Sequence, residues 1–119
     1  MPIRRNPLRL NPLQLKTLTL FQELARLGEY SRPGKEPGTI VVRPPAPHGD
    51  HFHLGDAVVA TRDASGLHNP AVWVALERKG LIRSMYPDGV VLTSAGFDYE
   101  TGLHKTILHK SGPLRRVTN

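Results

Sequence analysis

The densest candidate chemistry in this chain is the run His48-Gly49-Asp50-His51-Phe52-His53, with Asp56 just beyond it. If Phe52 lies in a strand, His51 and His53 project from the same side, because side chains alternate with period two along extended backbone. Two imidazoles on one face, with Asp50 or Asp56 nearby, could begin a site for Zn²⁺, Ni²⁺ or Cu²⁺. A metal-sensing protein would then follow. The plainer reading is an edge strand whose outward residues happen to be His. It is preferred because the remaining histidines, His68, His104 and His109, supply no second pair at ligand spacing. No metal or other cofactor is therefore expected.

Other chemistry is sparser still. The chain contains no phosphate-cradling glycine loop, no nucleophile elbow and no helical His-Glu-x-x-His. The absence of Cys removes disulfides, thiolate zinc sites and cysteine nucleophiles together. Carboxylates are few and none forms an evident acid/base pair, so an enzyme is not expected. Sixteen Lys and Arg against ten Asp and Glu leave a formal charge of +6, which favours a polyanionic partner. Charge alone does not choose among DNA, RNA and a membrane surface. No apolar run approaches the ~18 residues of a membrane span, and Met1-Pro2-Ile3-Arg4-Arg5 lacks the apolar block of a signal peptide. The expectation is a soluble cytoplasmic protein with no membrane partner.

The 119 residues suit a single domain with one modest core. A flexible basic arm is expected over residues 1–10. At Asn11-Pro12 a capping residue precedes Pro at the first helical position. Leu13, Leu18, Leu20, Phe21, Leu24 and Leu27 then recur at three- and four-residue spacings, predicting a first helix over 11–28 with one wide apolar face. Residues 29–50 are rich in Pro and Gly around Thr39-Ile40-Val41-Val42 and read as an inserted loop holding one short strand.

Organisation tightens over 51–102. Phe52 and Leu54 alternate with polar neighbours as in a strand. Asp56-Ala57-Val58-Val59-Ala60 is expected as a short second helix, although its β-branched residues would equally suit a strand. Asp63-Ala64-Ser65-Gly66 reads as a turn. Asn69-Pro70 repeats the cap and Pro signature, Gly80 supplies a stop, and Val72, Ala75 and Leu76 form the inward stripe between them. Leu81–Met85 and Val90–Leu92 are β-prone runs separated by Tyr86-Pro87-Asp88-Gly89, predicting an antiparallel hairpin. Thr93 is placed to cap a terminal helix from Ser94. Leu103–His109 reads equally as helix or strand, and 111–119 as a flexible basic tail.

Two motifs carry a family resemblance: Leu76-Glu77-Arg78-Lys79-Gly80-Leu81-Ile82 and Leu92-Thr93-Ser94-Ala95-Gly96. Residues 11–27 and 51–102 resemble the winged helix-turn-helix domain of bacterial regulators, including the multiple-antibiotic-resistance type. In those domains Leu-Glu-x-Lys-Gly-Leu-Ile ends the recognition helix and Leu-Thr-x-x-Gly closes the wing. The resemblance implies an α+β fold, a three-helix core with a β-hairpin wing, here with a Pro/Gly-rich insertion after helix 1. The chain departs from those regulators in that insertion and in lacking the long terminal helices through which they dimerise, so a homodimer would have no evident dimerisation helix.

What the resemblance implies for function is a prokaryotic transcriptional regulator bound to double-stranded DNA, with residues 70–79 in the major groove and a wing over 82–92 on the backbone or minor groove. A winged-helix module for protein or RNA contact is the alternative. The implied DNA-binding residues are His68, Asn69, Trp73, Glu77, Arg78 and Lys79 around the helix and Arg83 and Tyr86 in the wing. Arg4, Arg5 and Arg9 at one end, and Lys105, Lys110, Arg115 and Arg116 at the other, would serve as phosphate-contacting arms. Several have plainer roles. Asn69 suffices as a helix cap, Trp73 as a core aromatic, and Arg78 and Lys79 as favourable charges at a helix C-terminus.

Overall fold

The computed structural model describes residues 6–46, 51–55 and 57–110. Arg4, Arg5, Asp56 and the tail at 111–119 lie outside them. The fold is a small α+β domain. α1 spans Pro12–Ala25 and begins as the sequence predicts. The Asn11 side chain accepts from the Gln14 amide at 2.8 Å while the Gln14 side chain accepts from the Asn11 amide at 2.9 Å, a reciprocal cap. The helix stops at Ala25, short of Gly28, because the Arg26 and Leu27 amides bond back three residues to Glu23 and Leu24 and unwind the last turn.

Residues 29–46 are more than a loop. β1 (Ser31–Pro33) and β2 (Ile40–Val42) pair antiparallel, and β2 pairs in turn with β6 (Gly89–Leu92), which pairs with β5 (Ile82–Met85). The predicted hairpin therefore forms with β6 as an interior strand of a four-stranded antiparallel sheet ordered β1-β2-β6-β5. One face, with Val42, Val90, Ile82 and Leu92, is buried. The register Arg32↔Val41, Val41↔Val91 and Arg83↔Val91 puts Arg32, Val41, Val91 and Arg83 in one row on the other face. A second sheet has β3 (His51–Leu54), β4 (Ala57–Ala60) and β7 (His109–Lys110) in that order.

The expected helix over 56–60 is thus corrected to a strand. Gly55 turns the chain at φ +62°, and β-branched Val58 and Val59 pair with β3, Val59 facing the core at 0 % exposure. The second helix lies later, as a 3₁₀ helix over Thr61–His68, across the residues expected as a turn. Ala64 and Leu67, three apart on a helix of three residues per turn, both face the core. Gly66 does not make a turn. It admits α1, since a Cβ there would stand 1.9 Å from the Thr17 hydroxyl.

α2 spans Pro70–Arg78, capped by the Asn69 side chain, which accepts from the Ala71 amide at 3.0 Å. Gly80 follows at φ +77°, the left-handed C′ position. α3 is Ser94–Asp98 and α4 is His104–Ile107, so the undecided segment 103–109 divides into a helical turn and then a strand. One core joins Leu18, Leu20, Phe21 and Leu24 of α1 to Trp73 and Leu76 of α2, the buried sheet face and Val59. No helix among the described residues is long and apolar enough to cross a membrane.

Residues 6–10 are not a free arm. The Asn6 side chain exchanges hydrogen bonds with Leu10, the Leu8 amide donates to the Tyr99 hydroxyl at 3.2 Å, and Leu10 is buried. Arg9, exposed at φ 57°, sits within that turn.

The Leu-Thr-x-x-Gly motif acquires a physical cause. The Thr93 hydroxyl donates toward the Gly80 and Leu81 carbonyls, at 2.8 and 3.0 Å, and accepts from the Gly96 amide at 3.0 Å. A Cβ on Gly96 would stand 2.0 Å from the Leu81 carbonyl oxygen, which is backbone and cannot swing aside. Gly96→Ala is expected to lower stability by about 1–3 kcal/mol or more, as overpacking does, measured by urea unfolding. A midpoint equal to wild type would refute this close approach.

Candidate nucleic-acid interface

The residues singled out for DNA contact divide into those the fold consumes and those it leaves outward. Trp73 is consumed. It is fully buried, its indole N–H donates to the Gly66 carbonyl at 3.1 Å, and it meets Phe21 and Tyr86 edge to face at ring separations of 5.6 and 4.7 Å. A contact between Trp73 and a base is corrected to a core role, because a side chain with no exposed surface cannot reach a ligand. Asn69 spends its side-chain oxygen on the helix cap.

Glu77, Lys79 and Tyr86 are exposed but tethered. The Glu77 carboxylate accepts from the Ser84 amide at 3.1 Å, tying α2 to edge strand β5. Lys79 Nζ donates to the Leu8 carbonyl at 2.8 Å, holding the 6–10 turn against the end of α2. The Tyr86 hydroxyl donates to the His68 carbonyl at 2.8 Å, so the hairpin tip folds back onto the junction between the 3₁₀ helix and α2. His68 is itself exposed, its Nε2 3.4 Å from the Pro45 carbonyl.

Arg78 and Arg83 remain outward. Arg78 is exposed on the last turn of α2 with no ion pair among the described residues. Arg83 pairs with Glu36 at 3.5 Å, both side chains being well over half exposed. Such a solvated pair contributes about 0–1 kcal/mol. A phosphate can therefore displace Glu36 at little cost.

Sequence reasoning named Arg78 and Tyr86 but missed Ala71, Val74, Met85, Arg32 and Arg43, which accompany them on the surface. With Val72 and Leu76 facing inward, Ala71, Val74 and Arg78 occupy the opposite stripe of α2 at three- and four-residue spacing, and Val74 is 44 % exposed. That phase was available in the sequence. Among the described residues Met85 and Tyr86 are the other exposed large apolar residues, at 42 % and 41 %, so these fall on α2 and the hairpin. Arg32 and Arg43 were hidden because no strand is predicted at 31–33. Both are exposed and line a shallow cleft with Tyr30 and Val41 on the outward side of the sheet, adding cations to the face that carries Arg83. Lys105 is exposed on α4.

Comparison with protein-family models, with curated proteins and with solved structures gives no match.

Trp73 is the chain's single tryptophan, so its fluorescence reports on the hairpin anchor. Tyr86→Ala is expected to red-shift the emission and raise acrylamide quenching, because the ring covering the indole edge is gone. Emission identical to wild type would refute the anchoring contact.

Proposed function

We propose that this chain is a DNA-binding protein of winged-helix type, a transcriptional regulator that lays α2 in the major groove of a duplex and the β5–β6 hairpin against the adjoining backbone. The observation that carries this reading is the surface of α2 and the hairpin. Among the described residues the exposed large apolar side chains, Val74 on α2 and Met85 and Tyr86 on the hairpin, belong to the same two elements as Arg78 and Arg83.

That composition suits a groove. Val74 and Ala71 offer methyl groups of the kind that contact the thymine C5-methyl, and Arg78 offers the planar fork that pairs with guanine O6 and N7. Arg83 supplies a backbone contact once Glu36 is displaced. Met85, at the hairpin tip, is an apolar side chain of the type that wedges between base steps in a minor groove. The order of elements also supports the reading. α1, the strands β1 to β4, the 3₁₀ helix, α2 and the hairpin follow in sequence, with β2 pairing to the hairpin strand β6, and the two motif segments sit where α2 ends and where the hairpin closes. The excess of basic residues supplies the long-range attraction that a polyanion requires.

Use of the same surface for protein contact is the second reading, and the apolar exposure of Val74, Met85 and Tyr86 favours it. Salt dependence separates the two, because phosphate contacts release counterions whereas an apolar interface does not.

Wild type is expected to bind random-sequence duplex DNA and to lose affinity steeply between about 50 and 200 mM salt. Arg78→Ala with Arg83→Ala should weaken binding, with a log–log salt slope shallower by about 1–2. Absence of wild-type binding at low salt would refute the proposal. Binding that is insensitive to salt and to the double substitution would transfer the surface to a protein partner.

A further inference from the structure

The DNA reading leaves the histidine-rich β3 strand unused. His51 and His53 are on the same side of β3, as alternation requires, and their Nε2 atoms stand 3.0 Å apart, with ring centroids separated by 4.7 Å and planes at 83°. Two ring nitrogens this close on one strand face have the spacing of a bidentate ligand. Register places Ala60 opposite His51 and Val58 opposite His53 on β4. Both are small and lie on the same side of the sheet as the imidazoles.

The separation selects among metals. An ion held about 2.0–2.1 Å from both nitrogens, with the nitrogens 3.0 Å apart, subtends an angle of about 91–97°. Tetragonal and octahedral ions require cis ligands near 90°, so the pair is already set for Cu²⁺ or Ni²⁺. Tetrahedral Zn²⁺ would need the nitrogens about 3.3 Å apart at the same bond length, which means opening the pair. The ordinary order of divalent affinities also places Cu²⁺ first.

We propose that His51 and His53 form a chelating site for a divalent transition metal with tetragonal preference, Cu²⁺ above Ni²⁺ and Zn²⁺. The site lies on β3 and does not rest on the DNA-binding reading. Among the described residues no group of three or more His, Cys, Asp or Glu could hold a metal ion, so water completes the coordination of the pair. The two Nε2 atoms stand at hydrogen-bond distance, with the donor set by the tautomer. Coordination needs the lone pair of both, so neither Nε2 carries a proton in the metal-bound form.

The test is titration of the full chain with CuCl₂, NiCl₂ and ZnCl₂ at neutral pH by calorimetry, with electron paramagnetic resonance of the Cu²⁺ form. One Cu²⁺ per chain is expected, bound more tightly than Ni²⁺ or Zn²⁺. Each of His51→Ala and His53→Ala should weaken it at least as much as the ~10–100-fold that loss of an outer-shell partner costs. His109→Ala serves as control. His109 pairs with Val58 on β4, on the far side of that strand from β3, so it leaves the affinity unchanged. The wild-type spectrum decides the question even if a variant fails to fold, because two equatorial nitrogens are expected. No saturable Cu²⁺ uptake, Zn²⁺ bound more tightly than Cu²⁺, one nitrogen or none in the spectrum, or undiminished binding in either variant would overturn the site.

Discussion

Trp73 is the point at which the parts of this domain meet. Its indole is fully buried, with Phe21 of α1 on one edge, Tyr86 of the hairpin on another and the Gly66 carbonyl of the 3₁₀ helix accepting its N–H. A tryptophan buries roughly 150–250 Å², which at about 25 cal/mol per Å² corresponds to roughly 4–6 kcal/mol. That is comparable to the whole net stability of a small domain. Because one side chain contacts three elements, the positions of the 3₁₀ helix, α2 and the hairpin are set together. Gly66 permits this, since its lack of a Cβ lets Thr17 of α1 approach the 3₁₀ helix.

Around that anchor the polar groups of the surface act as ties. Thr93 grips the end of α2 through the Gly80 and Leu81 carbonyls, Glu77 satisfies an edge amide of β5, Lys79 holds the 6–10 turn and Tyr86 closes on His68. Each uses a side chain whose chemistry could have met a ligand. The outward side chains of α2 that remain are few, namely Ala71, Val74 and Arg78, and on the hairpin Met85 and Arg83 are likewise exposed.

The four-stranded sheet extends that scaffold. Because β2 occupies the free side of β6, the hairpin shares its inner strand with the rest of the molecule instead of standing as an isolated two-stranded ribbon. Its outward face carries Arg32, Arg43 and Arg83, so the segment between α1 and β3 contributes both mechanical support and positive charge. The histidine pair lies in the other sheet, on a separate strand system.

The sequence by itself determined what is local. Asn11-Pro12 and Asn69-Pro70 fix where α1 and α2 begin, because an Asn oxygen and a proline lacking N–H satisfy the first turn from within a few residues. The hairpin and the cap at Thr93 were legible for the same reason, as was the common side of His51 and His53, which follows from backbone alternation. Tertiary structure decided the rest. Ala57–Ala60 became a strand because β3 and β7 lie beside it, and the apolar content of four residues fits either form. Asp63-Ala64-Ser65-Gly66 became helical because α1 supplied a surface for Ala64 and Leu67. Among the candidate site residues, the division between Arg78, left outward, and Trp73, buried, rests on which neighbours arrive from far along the chain, as Phe21 does for Trp73. Residue type and spacing state what a side chain can do. Only packing settles whether its atoms are already occupied.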